Sequence, residues 1–253
     1  MIQILESEFI KYRRTFIRKC LFLAPFFFVL IAIPQKLFMP KDYFRPWELL
    51  IGMVYNWWPI LFVPIGIALF SSLVTSQEKR AGNYQFVIAR NVSPIAIWIS
   101  KIIVMSIHLL FTTFILMLSI LLAGWITASG EIPWGKIFVG GILIWITSLT
   151  LIPLHLWIAS WLGTFTNMVI GVVGLILGVI GAAQSYWIYI PWSWPTRLMC
   201  PVIGIHPNGT FLDPSSPLHD SSVILMGIIV SCTCTIILSL ATAIWFQSRE
   251  VKS

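Results

Sequence analysis

Charge is what this sequence has least of. Its 253 residues include only 16 Lys and Arg and 9 Asp and Glu, so charged side chains make up 10% of the chain. A soluble domain carries about 25%, and the deficit excludes a surface that meets water over most of its area. Cysteine is scarce as well, with four residues. Cys20 opens an apolar run, Cys200 lies in a Pro-rich segment, and Cys232 and Cys234 point in different directions on a helix. With no carboxylate or His at ligand spacing, they make neither a disulfide framework nor a metal site. The motifs of chemistry are missing too. There is no G-x-x-x-x-G-K-[ST] loop, no H-E-x-x-H and no G-x-S-x-G. His108 and His155 fall inside apolar runs, where helix–helix hydrogen bonding is their expected role. His206 and His219 are too far apart to begin a zinc site and are expected to be solvated. The sequence therefore reads as a protein without catalysis, bound cofactor or metal of its own.

Apolar side chains are what it has in excess: 58% of residues are hydrophobic, mean hydropathy is +0.91, and there are 13 Trp and 17 Phe. A membrane-spanning helix needs about 20 apolar residues. Six runs qualify, at roughly Cys20–Met39, Ile51–Thr75, Ile99–Ala123, Ile137–Ala159, Met168–Trp187 and Ser222–Phe246. The first is interrupted at its outer end by Pro34, Gln35 and Lys36, yet no small-x-small cleavage site follows it, so it reads as a retained span. The expected fold is one all-α integral membrane domain over residues 1–253.

Orientation follows from the basic residues. With the N-terminus inside, the cytoplasmic segments hold Lys11, Arg13, Arg14, Arg18, Lys19, Lys79, Arg80, Arg90, Lys101, Arg249 and Lys252. The outer segments hold Lys36, Lys41, Arg45, Lys136 and Arg197. Basic residues concentrate inside, so both termini are expected in the cytoplasm. The formal charge of +7 is then a topology signal, and no nucleic-acid surface is expected. No Asp, Glu, Lys or Arg lies at the centre of a span. Ion-coupled pumps need such groups, so energy for any transport is expected from another subunit.

Three local patterns stand out. Ile2, Leu5, Phe9, Tyr12 and Phe16 recur every three or four residues, which predicts an amphipathic helix over residues 1–19 lying in the inner interface. The segment 76–94 is the longest polar stretch inside; it carries both charge signs and an apolar patch at Phe86–Ala89, and it suits docking to a cytosolic partner. Ser93 and Pro94 predict the N-cap and first position of the third span, with Lys101 snorkelling from its first turns. In the fifth span Gly171, Gly174, Gly178 and Gly181 form one stripe that admits a close helix, from this chain or from a partner subunit. The outer segment 189–221 holds six prolines and is expected to lack long regular helix. Trp187, Trp192 and Trp194 are expected in an interfacial belt.

With its interfacial N-terminal helix, six spans and Glu-Lys-Arg-x-Gly segment after the second span, the chain resembles the type-2 ABC exporter permeases. The matching residues are Glu78, Lys79, Arg80, Gly82, Ser93, Pro94 and Lys101. The resemblance implies that Glu78 to about Ala89, with Lys79, Arg80, Gly82 and Phe86, couples to a cytosolic ABC ATPase that holds ATP and Mg, and that residues 1–19 are the elbow helix. A narrower pattern, Glu8-x-x-Lys11-Tyr12-x-Arg14-Thr15-Phe16 with Arg18-Lys19 and Ala24-Pro25, resembles the E-type permeases of lantibiotic-immunity transporters. It implies a second homologous permease subunit, an antimicrobial-peptide substrate and a bacterial plasma membrane. A drug, a lipid-linked molecule or sodium stays open as cargo, as does a non-transporting membrane scaffold.

Overall fold

The computed structural model describes residues 2–12, 15–38, 45–80 and 93–250. They form helices α1 (Ile2–Tyr12), α2 (Phe16–Leu23), α3 (Phe27–Phe38), α4 (Trp47–Trp57), α5 (Val63–Arg80), α6 (Pro94–Thr127), α7 (Trp134–Ser148), α8 (Leu151–Trp161), α9 (Thr164–Ala182), α10 (Trp194–Ile203) and α11 (Ser222–Glu250). Among the described residues, six stretches are long and apolar enough to cross a membrane: Arg18–Gln35, Trp47–Arg80, Pro94–Thr127, Trp134–Trp161, Thr164–Ala182 and Ser222–Ser248.

Proline sets the local irregularities. A tight turn at Ala24–Phe26 holds Pro25 and separates α2 from α3. In the second span Pro59 and Pro64 each lack a backbone N–H, and the ladder widens to a π-helical turn at Trp58–Phe62 between α4 and α5. At the start of α6, Pro94 is in the first turn and the Ser93 hydroxyl accepts from the Ala96 N–H at 3.5 Å. Within the spans, several hydroxyl side chains bond a carbonyl of the preceding turn. Thr75 donates to the Ser71 carbonyl, Thr112 to that of His108 and Thr147 to that of Leu143. These hydroxyls thus enter the apolar layer without needing water.

Contacts between distant segments group the span ends at two faces, as alternating crossings require. Two short strands, Arg45–Pro46 and Ala128–Ser129, pair in parallel at the outer end, where Asn56 also donates to the His206 and Pro207 carbonyls. At the opposite end Ser76 meets Thr164 at 3.1 Å, and α1 packs beside the ends of α5 and α6.

The glycine stripe packs within the chain. A Cβ on Gly171 would come within 2.7 Å of the Ala68 Cβ on α5. One on Gly174 would strike the Trp192 indole at 2.4 Å, one on Gly178 the Trp192 carbonyl oxygen at 2.7 Å, and one on Gly181 Ile190 at 2.6 Å. The lower glycine therefore seats α5, and the upper three seat a segment that folds back from the outer end of α9.

That fold-back revises the place expected for two tryptophans. The segment 189–221 is not only loop: it includes α10, whose residues from Trp194 to Cys200 are all buried. Trp187 and Trp194, expected in a belt, are 6% and 1% exposed. Arg197 is buried under the segment, donating to the Leu218 carbonyl at 3.2 Å and lying over the Trp187 ring. A segment pinned on a small-residue stripe at Ile190 and Trp192 buries Trp187 and Trp194 more fully than an interface would.

The intramembrane histidines divide. His155 links α8 to α9 by donating from Nδ1 to the Asn167 Oδ1 at 2.8 Å, while its Nε2 accepts from the Trp192 indole at 3.2 Å. Asn167 donates onward to the Ala68 carbonyl and Ser72 Oγ on α5. His108 instead bonds the Val104 carbonyl of its own helix and packs against Phe9 and Tyr12 of α1. Its role is packing rather than helix–helix hydrogen bonding.

Two tests follow from this packing. Gly178→Ala, which presses on backbone, should cost about 1–3 kcal/mol of stability in detergent unfolding. Gly135→Ala, with open space around its Cβ, should cost almost nothing. Burial pushes the Cys200 thiol up to about 11, so in intact cells an impermeant maleimide should leave Cys200 unlabelled. It should label a cysteine placed at exposed Asp213, and protection of that site would reverse the orientation.

Candidate coupling site at the inner end

The second span ends on Glu78, Lys79 and Arg80, and the structure separates the three. Lys79 and Arg80 are exposed, whereas Glu78 is 7% exposed. A carboxylate at that depth needs positive partners, and it has two. Lys101 Nζ lies 2.7 Å from Glu78 Oε1, and Lys11 Nζ is 2.7 Å from the same oxygen. Both ammonium groups also bind Glu8: Lys101 at 3.1 and 3.0 Å from its two carboxylate oxygens, and Lys11 at 2.6 Å. Two carboxylates and two ammonium groups thus form one neutral cluster spanning α1, α5 and α6.

Each member is held there by its helix. Glu8 and Lys11 are three apart on α1, so they share a face. Glu78 is in the last turn of α5. Lys101 is the eighth residue of α6, about 10 Å along the helix from its start. It does not snorkel to water: it is 0% exposed and turned inward. Snorkelling costs least where the path to the headgroups is clear. Here α1 lies across that path and offers a carboxylate.

The face of α1 also differs from expectation. Glu8 and Tyr12 are buried and Ile2 is 73% exposed, so the helix turns a partly polar face to the bundle, while Phe16 of the same stripe begins α2 and is 67% exposed. Burial would lower the Lys11 ammonium, but Glu8 and Glu78 outweigh it and hold it above its usual range. Burial, then the same two carboxylates, pushes the Tyr12 phenol well above its usual range.

Gly82 and Phe86 lie outside the described residues. Among the described candidates for coupling, Glu78 faces inward, and Lys79 and Arg80 are exposed. Glu8 and Lys11 were not legible as members of the cluster. The available signal was a carboxylate at residue 8, spaced by three and four from Leu5 and Tyr12 and so placed beside the apolar stripe. The cluster holds no nucleophile and no uncompensated base; what it can do is fix position. No group of three or more His, Cys, Asp or Glu residues suits a metal among the described residues.

Breaking a buried pair by removing one partner costs about 3–5 kcal/mol. Lys101→Met should therefore lower unfolding stability by an amount of that order. Lys11→Met should cost less, because the Lys11 side chain is 32% exposed. The exchange Lys101→Glu with Glu78→Lys should recover part of the loss. Equal effects of the two methionine substitutions would contradict the arrangement.

Comparisons with curated proteins and with solved structures return no match. A family model described as ABC-2 family transporter protein matches residues 4–185, a stretch that contains the whole cluster and the first five spans. With most of its length matched, the chain belongs to the ABC-2 family of transporter membrane proteins, as a multi-pass permease component of an ABC transporter that works with a separate ABC ATPase.

Proposed function

We propose that this permease works as an exporter in a bacterial plasma membrane, clearing lantibiotic-type antimicrobial peptide from the cell's own membrane, beside a second homologous permease. The observation that carries its coupling role is the cluster at the base of α5 and α6. The segment between these helices leaves from Glu78 and returns to the helix of Lys101, and both residues are bound to α1. A load applied to that segment by an ATPase would reach three helices together. Exposed Lys79 and Arg80 would supply contacts to the ATPase, and Glu78 would position them. Gly82 and Phe86 complete the proposed docking surface.

The cargo reading rests on the resemblance of the N-terminal 25 residues and on physical fit. An amphipathic peptide partitions into the outer leaflet, and its removal calls for apolar lateral surface rather than an ion path. Exposed apolar side chains along α9 and α11, such as Ile176, Ile180, Ile229 and Ile236, offer such surface. The absence of charge at the centre of any span weighs against sodium.

Purification with a candidate ATPase tests the coupling role. Lys79→Glu with Arg80→Glu should lower permease-dependent ATP turnover several-fold, since partner-facing charges act mainly through association, while the chain stays in the membrane. Unchanged turnover would remove these residues from the interface. For cargo, cells with the complete complex should survive lantibiotic doses that kill cells without it. Equal killing across a peptide panel would end the immunity reading and leave the permease role intact.

A further inference from the structure

The bundle contains a cavity that the coupling role does not use. It has a volume of about 360 Å³ and lies between α2, α5 and α6, with Trp58 and Phe62 of the π-helical turn at its upper end and Ile152 of α8 beside it. Its walls include Leu21 and Ala24 of α2, Gly66, Leu69 and Leu73 of α5, and Leu109 of α6. Thr112 is the one hydroxyl among its lining residues, and that group is already bonded to the His108 carbonyl at 2.8 Å. No charged side chain lines it. The cavity exists partly because α5 has glycine at residue 66, where an added Cβ would meet nothing within 4 Å.

Depth and charge identify an occupant. Leu73 lies seven residues, about 10 Å, from the inner end of α5 at Arg80, and Leu21 lies one turn from the start of α2. The cavity therefore runs from the acyl layer of the inner leaflet at Leu73 past the middle of the second span to Trp58, and its lower part is within reach of an inner-leaflet acyl chain. Arg18 is exposed and sits three residues before Leu21, on the adjoining part of the same helical face. Exposed Lys19 follows it at headgroup level. An apolar slot beneath a cationic edge matches a lipid that has both an acyl chain and an anionic phosphate.

We propose that this cavity is a binding site for one anionic phospholipid of the inner leaflet, with an acyl chain along Leu21, Gly66, Leu69 and Leu73 and its phosphate at Arg18. The lipid completes the packing between the first span and α5. This site is independent of the cargo. Because the chain lies against α5, the helix that carries Glu78, lipid composition would bear on how firmly the inner end is held.

The test uses the assembled permease–ATPase complex in mild detergent, counting phosphatidylglycerol against phosphatidylcholine by native mass spectrometry. Phosphatidylglycerol with a photoreactive acyl chain maps the contact. About one phosphatidylglycerol per chain should be retained over phosphatidylcholine, with crosslinks on the peptide holding residues 66–73. Gly66→Phe, which fills the slot, should lower retention roughly tenfold, equivalent to about 1.4 kcal/mol. Gly66→Ala should keep both lipid and unfolding midpoint, separating loss of lipid from loss of fold. Arg18→Gln should keep the crosslink and lose the preference for the anionic headgroup. Undiminished retention in Gly66→Phe, or equal wild-type crosslinking of both lipids, would overturn the site. So would a cationic amphipathic peptide probe that labels residues 66–73 in place of phospholipid. None of these outcomes depends on peptide export.

Discussion

The neutral cluster of Glu8, Lys11, Glu78 and Lys101 is the constraint on which the inner half of the structure depends. Ions at the margin of the acyl layer lose hydration, and only close opposite charges with satisfied hydrogen bonds compensate for it. Lys101 is wholly buried, so it has no aqueous alternative. Its partners must come from neighbouring elements, and they come from two. The interfacial helix α1 is thereby fixed to the bundle by charge, although its own exposed residues include Ile2, Ile10 and, just beyond it, Phe16.

From this anchor, α5 runs without a break to Ser72 and Ala68, which receive the Asn167 amide. Asn167 holds His155, and His155 accepts from Trp192. The inner cluster and the outer fold-back are thus joined by one helix and three side chains. These bonds also settle a tautomer: Trp192 donates to Nε2, so the His155 proton sits on Nδ1 and every polar group in the chain of contacts is used. Below Trp192, the glycines of α9 allow backbone to approach backbone. Packing in an apolar solvent gains little from hydrophobic burial, and close approach through small residues takes its place.

The same economy of polar groups explains the division of labour. Histidines and hydroxyls in the spans are spent on structure, and the four inner charges cancel one another. What remains exposed at the mouth of the segment is the pair Lys79 and Arg80. What faces lipid is a bundle with exposed isoleucine and leucine along its outer helices and a slot at Gly66.

Much of the architecture was legible from the chain alone. The six runs, the start of the third span at Ser93-Pro94 and the glycine stripe each follow from local physics: hydrocarbon thickness, the missing N–H of proline, and helical periodicity. Those rules act within one segment, so one segment suffices to read them. The tertiary structure alone decided where Lys101 points, since snorkelling or burial depends on a carboxylate 93 residues earlier in the chain. It alone decided that the glycine stripe meets Ala68 and Trp192 rather than another subunit, and that a proline-rich outer segment folds inward over Arg197. Each of these outcomes is a pairing of side chains from separate helices. Periodicity says which face a residue shares, and only packing says what that face meets.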